Sequence, residues 1–266
     1  MQAENEPRAG ILVQSDDGVA TVTIANPGKR NALNVAMWQA LEEGFRELNA
    51  DRDLRCVVIR GAAGEGFAAG ADITEFDTVR STREQVAHFH ETVVFGALSA
   101  IDECPVPVVA LIEGACVGGG LEIASVCDVR IANRSAQLGI PVNILGFPLA
   151  PQEMQWLFRL AGPAVTAELV FEGVILSAAE AFDKGLLTRV VDDGAVADAA
   201  FACVRRIARG APLAARANKQ QLRRLMAGRP LTREERLASY AFADTEDYKA
   251  GIQAFRDKTT PVFSGR

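Results

Sequence analysis

Two glycine-containing loops carry residue types that could do chemistry together. The first is Gly66-Phe67-Ala68-Ala69-Gly70-Ala71-Asp72, and the second is Gly114-Ala115-Cys116-Val117-Gly118-Gly119-Gly120-Leu121-Glu122. Each follows an apolar run, Cys56 to Ile59 in one case and Val106 to Ile112 in the other. Glycine lets a ligand approach the backbone, and an N–H at a helix start has no internal partner. Two such loops can aim backbone N–H groups at one oxygen from two directions, which is how an oxyanion hole is built. Glu122 stands two residues beyond the glycine triplet. A carboxylate beside an oxyanion hole can move a proton or activate water. The plainer role for Glu122 is a charge favoured at a helix N-terminus.

The elements that must hold these loops can be read from periodicity. Ile11 to Gln14 and Val19 to Ile24 form a hairpin around Asp16-Asp17-Gly18. Trp38, Leu41, Phe45 and Leu48 recur at helical spacing, as do Val86, Phe89, Val93 and Ala97. Pro105 and Pro107 end the second helix and flank the entry to a strand over 108–112. A short helix follows from Gly119 to about Ser125, then a strand over 128–132 and a short one over 137–139. Strand, loop and helix alternate, which predicts an α/β architecture with crossover connections. From Pro151 onward helices are expected near 152–160, 163–171, 178–184, 195–209, 212–226, 232–243 and 245–258. We divide the chain into a core, 1–194, and a helical C-terminal region, 195–266, with a soft boundary at 192–194. Ala238, Phe242, Tyr248, Ile252 and Phe255 would leave apolar stripes in that tail, which favours an oligomer.

Composition excludes several classes of function. The 266 residues are 49% hydrophobic and 23% charged, an ordinary globular balance. A net charge of −6 argues against a nucleic-acid or anionic-membrane surface. No apolar run approaches the ~20 residues of a membrane span, and the polar stretch from Met1 to Gly10 lacks a signal-peptide core, so a cytoplasmic protein is expected. None of the five cysteines forms C-x-x-C, and they read as buried thiols. His88 and His90, two apart on a helix, point to different sides and do not suggest a shared metal. No G-x-S-x-G marks a serine hydrolase. Gly64-x-Gly66-x-x-x-Gly70 is a near miss for a dinucleotide loop, but the following strand ends at Glu113, too far on to supply the ribose-binding acid.

The ordered set of motifs resembles the enoyl-CoA hydratase/isomerase, or crotonase, superfamily. The matching stretches are Lys29-Arg30-Asn31-Ala32-Leu33, Phe67 to Ile73, Val106 to Ala110 leading to Gly118-Gly119-Gly120-Leu121-Glu122, and Cys127 to Ala132. Leu138-Gly139-Ile140-Pro141, Ala178 to Ala181 with Lys184-Gly185-Leu186, and the tail Thr245-Glu246-Asp247 with Gly251 to Phe255 complete it. The resemblance implies an α/β spiral of β-β-α turns with a helical C-terminal region, assembled as trimers or dimers of trimers. It implies an acyl-CoA thioester substrate, with coenzyme A as part of that substrate and no separate cofactor. Ala71 and Gly119 would be the oxyanion donors, and Glu122 the first catalytic glutamate. Ala69, Ile73 and Gly118 would line the thioester site, and Asp72 would order its loop. Lys29 and Arg30 resemble the loop that lies along the nucleotide. Phe255 and Lys258 are candidates for CoA contact from a C-terminal helix, with a solvated surface charge an equal reading of Lys258.

The chain departs from the hydratase pattern after Pro141. The family continues with a second glutamate, where this sequence has Val142, and its glycine-rich segment is replaced by Phe147-Pro148-Leu149-Ala150-Pro151-Gln152-Glu153. Losing a positioned acid or base typically costs about 10²–10⁴ in rate. Asn143 reads as a turn residue. Glu153, in the first turn after Pro151, reads as a helix-capping charge, or in a sharper alternative as a substitute catalytic carboxylate. The leading expectation is enoyl-CoA hydration or double-bond isomerisation with Glu122 as acid/base. Decarboxylation, thioester hydrolysis, and acyl-CoA binding without catalysis are the alternatives.

Overall fold

The computed structural model describes residues 9–266. Residues 1–8, most of the polar stretch expected to hold no signal-peptide core, lie outside the described residues. Among the described residues the nine strands are β1 (Gly10–Asp16), β2 (Val19–Ala25), β3 (Cys56–Gly61), β4 (Val108–Ile112), β5 (Ala115–Val117), β6 (Val129–Asn133), β7 (Gln137–Gly139), β8 (Ile175–Ser177) and β9 (Arg189–Val191). They form a six-stranded sheet in the order β1-β2-β3-β4-β6-β9 and a three-stranded sheet in the order β5-β7-β8. In the larger sheet β1 pairs antiparallel with β2, and every later pairing is parallel. The β1–β2 turn is the expected one, with Asp17 and Gly18 both at positive φ.

The helices are α1 (Val35–Ala50), α2 (Phe76–Val79), α3 (Arg83–His88), α4 (Phe95–Asp102), α5 (Gly119–Val126), α6 (Pro151–Ala167), α7 (Ala178–Asp183), α8 (Val196–Ala208), α9 (Pro212–Met226), α10 (Arg233–Ala238) and α11 (Glu246–Asp257). Strand pairs and helices succeed one another as a spiral: β4 leads into β5 and α5, β6 into β7 and eventually α6, β8 into α7 and β9. Parallel strands buried on both faces need the continuous apolar runs noted above, and β4 is buried at every residue. One face of the large sheet packs on α1 and α4. The other is covered by α8, whose Val196, Ala200, Cys203 and Val204 meet Cys56, Val58, Val109, Leu111 and Ile131.

Local chemistry explains the element ends. Asn34 caps α1 by accepting from Met37 N at 2.8 Å, a contact typically worth about 1 kcal/mol. The four helix-spaced residues of α1, Trp38, Leu41, Phe45 and Leu48, are all buried. Two expected helices are interrupted. The segment read as one helix around Val86 to Ala97 contains a π-helical stretch, Phe89–Val94, between α3 and α4. The helix expected over 232–243 ends at Ala238 and resumes only as a short 3₁₀ turn, Ala241–Asp244. No helix among the described residues is long and apolar enough to cross a membrane.

Candidate active site

The two glycine loops meet at one cavity. Ala68 forms a parallel bridge with Cys116. Phe67 N and Ala68 N donate to Ala115 O at 2.9 and 3.0 Å, and Val117 N donates to Ala68 O at 2.9 Å. The second loop enters α5 through Gly118 at φ 53°, ψ −123°, a conformation that in practice requires glycine. Gly120 then lies so close to the first loop that a Cβ there would run into the Ala68 carbonyl. Backbone pairing and absent side chains thus press the first turn of α5 against Ala68 to Ala71.

This packing leaves two N–H groups without a hydrogen-bond partner among the described residues, on residues that line one cavity. Ala71 bridges Leu33, and the bridge uses the Gly70 carbonyl and the Asp72 N–H, at 2.7 and 2.8 Å. The intervening Ala71 N–H is turned the other way. Gly119 is the first residue of α5, where an N–H has no intrahelical acceptor. Among the described residues neither donor has a partner, and both residues line the cavity, with Ala69, Gly70, Val117 and Gly118. Its volume is about 120 Å³, comparable to a cavity of ~150 Å³ that accepts benzene.

Side chains build the opposite wall. Phe76, Arg80, Phe89, His90, Val142, Leu145, Phe147, Leu149 and Glu153 face the same cavity as Glu122. Pro151 starts α6 in the way expected of a first-turn proline, and Glu153 in that first turn is buried. Glu153 is 2% exposed and Glu122 6%. His90 Nδ1 lies 2.7 Å from Glu153 Oε1. His90 stands in the π-helical stretch, where one extra residue per turn rotates its side chain away from the register of α3.

Charge in this cavity is finely opposed. Burial pushes the Glu122 carboxyl well above the usual carboxylate range; the Glu153 charge adds to the shift, while His90 and Arg80 oppose it. Burial likewise pushes Glu153 up to about 8, with Arg80 opposing and Glu91 adding. Burial lowers His90, and Arg80 lowers it further, against Glu122 and Glu91. His90 and Glu153 are within ion-pair distance, yet both shifts favour uncharged partners, because desolvation outweighs their attraction. Two carboxyls in one dry pocket cannot both ionise freely, so near neutral pH the pair retains a proton.

The other residues singled out in the sequence fall into three groups. Asp72 orders the first loop: its Oδ1 accepts from Thr74 N at 3.1 Å and Thr74 Oγ1 at 2.7 Å, and its Oδ2 pairs with Lys29 Nζ at 2.6 Å. Burial raises its pKa, but the bonds from Lys29 and Thr74 outweigh that and hold it below its ordinary value. Arg30 is exposed beside the same loop, its carbonyl accepting from Ala69 N at 3.0 Å. Ile73 and Val142 line the cavity. Asn143 is an exposed turn residue that donates to Phe171 O at 2.9 Å. Phe255, 86% exposed, and Lys258, the αL cap of α11, are not brought to the cavity within one chain. Sequence reasoning missed Arg80, His90, Phe76, Phe89 and Phe147. The available signal was aromatic residues beside Arg80 and His90 in a segment that had to cover the loops.

An α/β spiral that closes two glycine loops over a cavity with buried carboxyls defines a crotonase-type protein. The chain belongs to the enoyl-CoA hydratase/isomerase family, whose model matches residues 14–266. A solved structure of an enoyl-CoA hydratase/carnithine racemase from Magnetospirillum magneticum is 42% identical, with a TM-score of 0.94 over 98% of this chain and 97% of that one. The Mycobacterium tuberculosis protein named "Probable enoyl-CoA hydratase echA8" is 35% identical over 96% of this chain and 98% of its own. The short-chain-enoyl-CoA hydratase of Clostridium acetobutylicum is 32% identical over 93% and 95%.

Proposed function

We propose that this enzyme hydrates or isomerises a short 2-enoyl-CoA thioester, using Glu122 and Glu153 as its acid/base pair. The observation that carries the reading is that Glu153, from α6, faces the same cavity as Glu122, Ala71 and Gly119. Val142 occupies the position of the expected second glutamate, and Glu153 supplies a carboxyl to that cavity from another element.

The chemistry follows from the geometry. The thioester oxygen sits between the N–H groups of Ala71 and Gly119. Negative charge develops on it as water adds to Cβ, and each preorganised donor contributes roughly 2.7–4 kcal/mol to that transition state. One ionised carboxyl of the pair takes the proton from the attacking water, and the protonated one delivers its proton to Cα. A pair that shares a proton near neutral pH supplies both roles at once. In isomerisation the same carboxyls move a proton between carbons of the acyl chain without water.

We place the CoA nucleotide along Lys29 and Arg30. Exposed Phe255 and Lys258 on α11 fit a site completed by a neighbouring subunit in a trimer or dimer of trimers, for which residues 195–266 supply the contacts. Exposed Phe242, Tyr248 and Ile252 support this assembly. The composition supports a cytoplasmic enzyme. The test is loss of the enoyl absorbance of crotonyl-CoA with wild type, Glu122→Gln and Glu153→Gln. Turnover lost in both variants is expected. Full activity in Glu153→Gln would remove Glu153 from the pair.

A further inference from the structure

We propose that Arg80 makes the cavity a receptor for short acyl chains that themselves end in a carboxylate, so that the preferred substrates are thioesters of dicarboxylic acids. This rests on the cavity being the thioester site, and it adds which thioester enters.

Arg80 follows α2 and is half-buried at the cavity. Its guanidinium carbon lies 4.2 Å from the ring centroid of Phe76, 4.5 Å from that of Phe147 and 5.1 Å from that of Phe89. Three rings from three segments surround one cation, within reach of cation–π attraction. Among the described residues no carboxylate lies within 4.0 Å of it, and none of its five N–H donors has an acceptor. Its nitrogens are not sealed in the protein either, because Arg80 is absent from the buried polar atoms that lack partners. The donors keep access to solvent, on a residue that lines the cavity.

An aliphatic acyl chain gives no reason for this arrangement. Apart from Arg80, His90, Glu122 and Glu153, the side chains lining the cavity with the rings are apolar, Val94, Leu145 and Leu149 among them. Desolvating an arginine there costs free energy unless an anion repays it. The planar fork is pre-organised for two parallel bonds to a carboxylate, and among the described residues none of its donors is taken by a protein acceptor. Burial lowers the Arg80 pKa, and the nearby Glu153 and Glu122 charges only partly oppose that shift. The small cavity limits the chain to a few carbons between the thioester and the far carboxylate.

The test is titration calorimetry with thioesters that cannot be hydrated. Glutaryl-CoA and adipyl-CoA are compared with their terminal carboxamides and with butyryl-CoA, on wild type, Arg80→Gln and Arg80→Lys. The carboxamide has the same shape and no charge. In wild type at least one diacid thioester should bind roughly 10- to 100-fold tighter than its amide, the range of a charge-assisted contact. That ratio should fall to about one in Arg80→Gln and be partly kept in Arg80→Lys. Equal or tighter binding of both amides by wild type overturns the proposal, and needs no variant to fold. Selective diacid binding without turnover of any enoyl-CoA leaves Arg80 as assigned and removes the hydratase reading. If none of the thioesters binds, both readings fall.

Discussion

The two walls of the cavity are made differently. One is backbone: two loops locked by β-bridges and glycine contacts, presenting N–H groups at fixed positions. The other is side chain: Arg80, His90, Glu153 and several rings, gathered from α2, the π-helical stretch, the loop after β7, and α6. A backbone wall can recognise only what all thioesters share, a carbonyl oxygen. A side-chain wall can differ residue by residue without disturbing the sheet, and there this chain departs from the hydratase pattern. The comparison predicts that damage to the first wall abolishes every reaction, while damage to the second changes rate, selectivity or pH behaviour.

The largest effect should come from Gly119→Pro. The substitution removes one donor, and even a Cβ at this site would stand 2.7 Å from Trp38 Cζ2. Loss of one donor alone costs about 10²–10³ in kcat, so turnover of crotonyl-CoA should fall below detection in a folded trace. Near-normal activity would break the assignment of the backbone wall. Next comes Glu153→Gln, expected to lower kcat by about 10²–10⁴ as for a lost acid/base group, while the affinity for a saturated thioester changes little. A rise in KM with kcat intact would make Glu153 a binding group instead.

A smaller effect is expected from Val142→Glu, which restores the residue of the family pattern. Val142 is 8% exposed, and a third carboxyl would enter a dry space that already strains to ionise two. Like charges there push one another's pKa upward. The expected result is no gain in crotonyl-CoA hydration. A clear gain would show that Glu153 does not stand in for the missing glutamate.

The same division governs what could be read from the sequence. The two glycine loops were legible because their causes are local, glycines placed directly after apolar strands, while the choice of Ala71 and Gly119 within them came from the family resemblance. The strands and α1 were legible for a similar reason, since their apolar spacing is their burial pattern. Arg80 and His90 were not, and Glu153 only as the sharper of two alternatives, because their meeting depends on how far α6 lies from α3 and on a π-helical stretch that shifts His90 by one position. Glu153 illustrates the limit. A carboxylate in the first turn of a helix is ordinarily a solvated cap, and only the packing of α6 against α5 makes it a buried group facing Glu122. The short strands β5, β8 and β9 were likewise missed, since three residues set no period.

The smallest expected effect is on stability, and it separates the walls by sign. Glu153 has its pKa raised from an ordinary 4.5 to about 8 in the folded protein. The native state therefore binds this proton more tightly, and the associated stability is present below pH about 4.5 and is lost as pH rises to about 8. Glutamine cannot ionise and keeps an oxygen to accept from His90, so Glu153→Gln should match wild type near pH 4.5 and melt at a progressively higher temperature than wild type up to pH 8. Asp72, in the first loop, is shifted the other way by Lys29 and Thr74. Its stability is present above its unfolded pKa, which lies near 3.8, and is lost as pH falls through the lower folded value. Asp72→Asn should therefore cost stability at pH 7, and the cost should shrink toward zero in acid. Thermal melts of the three proteins from pH 3 to 9 read both slopes, and the groups they share cancel in the differences. Parallel curves for wild type and Glu153→Gln would mean that Glu153 ionises as readily in the fold as in water, and the acid/base pair would then lose its physical basis.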